Sequence, residues 1–192
     1  MTTRAKTVHR LKVTLRQVKP PIWRRIEVLS DVKLSELSDV LEAAMGWYGG
    51  HLHAFEAGGV HYEMPDPDGF GFNRPVDERK ARLGEVLPTV GSKMRWDYDF
   101  GDGWEHDVLV EAIEPRRAEV TYPVCLAGKR ACPPEDCGGP WGYGNLLAAL
   151  GDPTHPEHDE LTEWAPPGFD PAAFDAGEVT EDMRAARPLK GW

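Results

Sequence analysis

The chain of 192 residues has no apolar run approaching the roughly 18 residues that a membrane-spanning helix needs. Its opening stretch, Met1-Thr2-Thr3-Arg4-Ala5-Lys6-Thr7-Val8-His9-Arg10, lacks the apolar core of a signal peptide. No membrane partner and a cytoplasmic location are the resulting expectations. Cysteine is scarce: Cys125, Cys132 and Cys137 are an odd number gathered in one short stretch, which argues against a disulfide framework and leaves free thiols or metal ligands. Positive charge is in deficit, 22 Lys and Arg against 32 Asp and Glu for a net charge of −10, a poor balance for coating duplex nucleic acid. There is no H-E-x-x-H helix, no phosphate-cradling P-loop, no nucleophilic Ser beside an arginine cluster, no repeat and no low-complexity segment.

What is present suits one domain with a full core, since 41% of residues are hydrophobic and seven are Trp. The charge is unevenly spread. Residues 1–30 hold Arg4, Lys6, Arg10, Lys12, Arg16, Lys19, Arg24 and Arg25 against Glu27 alone, a local +7 that leaves −17 for the rest. A basic face carrying Arg10, Lys12, Arg16, Arg24 and Arg25 can meet a protein or nucleic acid partner, or can be a solvated sheet face paired with the chain's own carboxylates.

Leu11, Val13 and Leu15 alternate with Arg10, Lys12, Thr14 and Arg16, the period-two signature of a strand, and Ile22 to Val28 resumes an extended run after Pro20-Pro21. Leu34, Leu37, Val40, Leu41 and Ala44 predict a helix over 33–45, stopped at Gly46. A hairpin is expected over 51–62, an irregular excursion over 64–78 and a helical turn over 81–87. The clearest hairpin joins Met94, Trp96, Tyr98 and Phe100 to Val108 and Val110 through Gly101-Asp102-Gly103. A strand is expected over 118–124, a Gly/Pro/Cys loop over 125–144, helices over 143–150 and 156–164, and a tail that docks through Phe169 and Phe174.

Chemistry concentrates at that hairpin turn and in the cysteine loop. Thiolates are strong zinc ligands, and Cys125, Cys132 and Cys137 offer three, with His51, His53 or His106 as a fourth; the same cysteines also pack well as small buried apolar groups. His51 and His53 share a face if their segment is a strand, as a ligand pair or as two exposed polar residues. Asp99, Asp102, His106, Glu135 and Asp136 are the candidate set for a hard cation or for acid–base work, although Asp and Gly are also what a tight turn demands. Trp96, Tyr98 and Phe100 form an aromatic stripe suited to the core or to base stacking.

Tyr98-Asp99-Phe100-Gly101-Asp102-Gly103-Trp104-Glu105-His106, Cys125, Ala131-Cys132-Pro133-Pro134-Glu135-Asp136-Cys137-Gly138-Gly139, Gly142-Tyr143 and His51-Leu52-His53-Ala54-Phe55 together resemble the plasmid pRiA4b open-reading-frame-three family. The resemblance runs over roughly residues 7 to 180. It implies a single α+β domain at 7–180, roll-like, with a mostly antiparallel sheet and packed helices, between tails at 1–6 and 181–192. It also implies mobile-element-associated ancestry, and no established activity comes with it. The expected function is an intracellular binding or interaction domain with a structural zinc; the alternative is a metal-dependent hydrolase or nuclease using the hairpin carboxylates and histidine.

Overall fold

The computed structural model describes residues 7–65 and 75–186. The expected tail at 1–6, the middle of the excursion at 66–74 and residues 187–192 lie outside the described residues. The fold is α+β, a single domain built on a mixed sheet of eight strands in the order β5-β4-β3-β6-β7-β1-β2-β8. The strands are β1 (Thr7–Leu15), β2 (Trp23–Leu29), β3 (His53–Ala57), β4 (Val60–Glu63), β5 (Val76–Asp77), β6 (Lys93–Tyr98), β7 (Trp104–Pro115) and β8 (Val124–Lys129). Every pairing is antiparallel except β4 with β5. The helices are α1 (Leu34–Met45), α2 (Leu83–Val86), α3 (Gly139–Gly151), α4 (His158–Trp164) and α5 (Ala176–Ala185).

Alternation builds the core as expected. Leu11, Val13 and Leu15 on β1, Met94, Trp96 and Tyr98 on β6, and Trp104, His106, Val108 and Val110 on β7 point to one face of the sheet, where Leu34, Leu37, Leu41, Ala44 and Met45 of α1 join them. Gly46 ends α1 in the left-handed conformation (φ 77°) that a side chain resists. The last strand begins later than the expected 118–124. Pro123 has no N–H to give a ladder, and pairing with β2 starts beyond it, so Cys125 sits on a strand rather than in a loop. The tail docks through α5, which packs on α1 and β8, with the Thr180 hydroxyl accepting the backbone N–H of Cys125.

The basic strands pair with the chain's own carboxylates. Glu27 takes Arg10 on one oxygen and Arg117 on the other, Arg25 forks onto Glu111, and Arg16 faces Glu105 and Asp107. Lys12 and Arg25 also lie over the Trp23 ring. Arg24 corrects the expectation of a partner-facing residue, because it points inward and is 3% exposed.

Candidate functional site

The hairpin turn and the cysteine loop meet. Three ties seat the loop: Trp47 Nε1 donates to Pro133 O at 3.0 Å, the Tyr98 hydroxyl donates to Glu135 Oε1 at 2.7 Å, and the backbone N–H of Gly138 donates to Asp102 Oδ2 at 3.2 Å. Behind them stands an aromatic wall in which Trp47 stacks on Tyr98 at 4.8 Å and touches Trp96, Trp104 and His106. The stripe of Trp96 and Tyr98 therefore belongs to the core. Phe100 leaves it, 56% exposed, because Asp99 turns the chain with φ 52°.

Asp99 is anchored by that turn. Its Oδ1 accepts the N–H groups of Gly101 and Asp102, and its own N–H donates to Leu52 O. Its Oδ2 faces His51 Nδ1 at 3.6 Å, and on the other side of the ring His51 Nε2 faces Asp136 Oδ1, also at 3.6 Å. Asp136 is held on the loop in a left-handed conformation, φ 59°. Among the described residues, His51, Asp99 and Asp136 are the set whose ligand atoms all lie within 4.8 Å of one another. A separation of 3.6 Å is too long for a hydrogen bond. One imidazole nitrogen and one oxygen from each carboxylate, all within 4.8 Å of one another, can close round a single small cation at about 2.1 Å from each.

The other expected residues go elsewhere. Asp102 caps the loop and Glu135 holds Tyr98, so both serve the junction rather than joining the set. His106 lies wholly in the core; its Nδ1–H donates to Trp96 O, burial pushes its pKa down to about 3, and Nε2 has no hydrogen-bond partner among the described residues. His53 and His51 do not act as a pair, since the described strand starts at His53 and the two rings find different carboxylates. The three thiols do not form a ligand set among the described residues. Cys132 accepts from Arg24 Nη2 at 3.2 Å, Cys125 leans on Ala127 O, and Cys137 lies near Asp102 and Asp136. Burial raises all three, Cys132 to about 11 and Cys137 to about 12, so they are protonated thiols at neutral pH.

A second polar cluster escaped the sequence reading. His53 Nε2 lies 2.9 Å from Glu78 Oε2 and Nδ1 lies 3.6 Å from Glu42 Oε1, which also accepts from Ser38. Burial alone would lower the His53 pKa, but the hydrogen bond and charge of Glu78, with Glu42 and Asp39, raise it. Burial pushes Glu42 up to about 7 and Asp39 to about 6. No local signal marks Glu78 as buried; its position follows from β5 joining the sheet edge.

This cluster carries a pH prediction. A carboxyl raised in the folded state stabilises the fold below its unfolded pKa and loses that contribution as pH rises through the folded value. For Glu42 the window runs from about 4.5 to about 7. Glu42→Gln stays neutral throughout, so its stability relative to the parent should climb across that window by on the order of 3 kcal/mol. His53 shifts in the same direction while His9 and His106, both lowered by burial, act oppositely; the two lowered histidines cancel between variant and parent, and the difference reads Glu42 together with its coupling to His53. Urea unfolding of both proteins at pH 5 and pH 8 is the measurement; an equal difference at the two pH values contradicts the assignment.

Comparison with known proteins shows what the chain is similar to. The profile of the family described as plasmid pRiA4b ORF-3-like protein matches residues 7–178. The chain is 40% identical over 178 residues to the uncharacterized protein y4hQ of Sinorhizobium fredii, covering 91% of this chain and 90% of that protein. It is also similar to the crystal structure of MM3350, a protein of unknown function from Methanosarcina mazei Go1, with 37% identity, a TM-score of 0.82, and coverage of 92% of this chain and 99% of that one.

Proposed function

The chain belongs to the plasmid pRiA4b ORF-3-like family, and from that premise we propose that it is a binding domain organised round a divalent cation held by His51, Asp99 and Asp136. The observation that carries this reading is the convergence of one ligand atom each from His51, Asp99 and Asp136, all within 4.8 Å of one another, with the imidazole hydrogen-bonded to neither carboxylate among the described residues. One nitrogen and two oxygens suit Zn²⁺ or Mn²⁺ better than a thiolate set would suit a hard ion. The turn amides on Asp99 Oδ1 and the ties on either side of Asp136 fix two donors before the ion arrives. An intracellular setting agrees with three free thiols, and no described helix is long and apolar enough to cross a membrane.

Calorimetric titration of the metal-stripped protein with Zn²⁺ and Mn²⁺ tests the reading, with one ion bound per chain as the expected result. Asp99→Asn keeps the turn cap but removes the charge. It and His51→Ala should each weaken binding by more than the roughly 10–100-fold that loss of an outer-shell partner costs. A parent that takes up neither ion, or variants that bind as well as the parent, would overturn it. Three protein donors leave coordination positions open, which favours one second reading, metal-dependent hydrolysis. Metal-dependent cleavage of bis(p-nitrophenyl) phosphate, lost in Asp136→Asn, would move the function to that class.

A further inference from the structure

Beside the junction, and separate from the His51 set, runs a cleft of about 880 Å³. Its walls are the end of α1, the loop over 131–135 and the C-terminal arm, and its apolar lining includes Met45, Pro133, Pro134, Phe169 and Phe174. Two aromatic side chains stand at it exposed, Tyr48 at 92% and Trp164 at 45%. Through Tyr48, Gly46 and Asp182 it continues into a second cleft of about 410 Å³, where Asp39 and Glu42 line the wall.

The solvent-facing charge in the described lining of this groove is acidic. Glu135, Asp175, Glu178 and Asp182 line the larger cleft, and Glu178 and Asp182 are four apart on α5 with no ion pair among the described residues. Arg24, the one cation in the lining among the described residues, is buried and bonded to Ala44 O, Trp23 O, Lys129 O and Cys132 Sγ. Among the described residues, no other cation in the lining balances these carboxylates. On the far side of the sheet the cations are paired internally, so the groove is where unbalanced charge meets exposed aromatic surface.

We propose that this groove is a docking site for a short basic segment of a partner protein, one in which Arg or Lys side chains are interspersed with aromatic or aliphatic ones. Charge complementarity selects the cations: guanidinium and ammonium groups reach Glu178, Asp182 and Glu135 on the rim. The apolar floor and the faces of Tyr48 and Trp164 select the intervening side chains and stack on guanidinium planes. A free polyamine satisfies the carboxylates but leaves the Pro134, Phe169 and Phe174 surface unused. A nucleic acid is repelled.

Fluorescence anisotropy with a short labelled peptide alternating arginine and phenylalanine tests the proposal on the full chain. Expected is saturable binding that weakens with added salt, with no binding of the glutamate–phenylalanine counterpart. Glu178→Lys combined with Asp182→Lys should weaken it at least tenfold. Glu85→Lys with Glu119→Lys makes the same change of net charge at exposed positions outside the groove and should leave affinity within about twofold. Tyr48→Ala, at a side chain too exposed to support the fold, should also weaken binding and keeps the test open if the α5 double variant unfolds. Equal losses in the control pair, tight binding of spermine without the peptide, or no effect of Tyr48→Ala would each overturn the assignment. Removal of metal by chelation should leave peptide affinity unchanged, which separates this result from the cation reading.

Discussion

Arg24→Ala should lower the unfolding free energy by about 3 kcal/mol, several buried acceptors losing their donor at once, while Arg25→Ala should cost less than about 1 kcal/mol. The two arginines are neighbours on β2 and differ in the face they occupy. Arg24 stands between Ile22 and Ile26 on the core face, and its guanidinium donates to Ala44 O, Trp23 O, Lys129 O and Cys132 Sγ under the Phe174 ring. Truncation leaves these acceptors without their donor in a place water does not reach freely, each at a cost of about 1–3 kcal/mol before relaxation. It also removes the link between the end of α1, β8 and the cysteine loop. Arg25 is a third exposed, and although its pairing with Glu111 lowers that carboxyl and raises its own pKa, solvent screens the pair. Denaturant unfolding of both variants decides the matter. Similar small losses would mean that Arg24 faces solvent as a strand of uniformly exposed cations would have it.

The contrast shows what the sequence holds and what it withholds. Parity was legible: Ile22, Arg24 and Ile26 share one face of a strand, so an arginine in register with two isoleucines is a buried arginine wherever that face is the core. Counting charge over residues 1–30 hid this, because a sum has no face. The β6–β7 hairpin and α1 were legible for the same reason, their periodicity being local. The His51 set was not. It depends on β3 pairing with β6 in the register that sets His53 against Tyr98, and on the Cys132–Cys137 loop folding back over the turn. Neither register nor loop return is written in local pattern, since each is selected by burial across distant segments. The histidine that looked most like part of the turn, His106, sits on the core face of β7 by the same parity that places Trp104 and Val108 there.

Gly139→Ala should destabilise the fold by about 3 kcal/mol or more, through forced backbone strain and overpacking together, and should take cation binding with it. The glycine opens α3 with φ 68°, a conformation a side chain resists. A Cβ built there falls inside the 3.0 Å limit that real Cβ atoms keep, and the atom it meets is Asp102 O, rigid backbone of the hairpin turn. Either the loop lifts or the turn moves, and both carry Asp136 away from His51. Gly144 in the same helix meets nothing within 4 Å and has no left-handed requirement, so Gly144→Ala should be neutral or stabilise by about 0.4–1 kcal/mol. Comparing melting temperature and Zn²⁺ or Mn²⁺ affinity across parent, Gly139→Ala and Gly144→Ala separates propensity from seating. Unaltered stability in Gly139→Ala would mean that the cysteine loop does not rest on the hairpin turn. A folded Gly139→Ala protein with unaltered cation affinity would mean that Asp136 is not placed by that contact, and the donor set would have to be sought among residues the turn alone can hold.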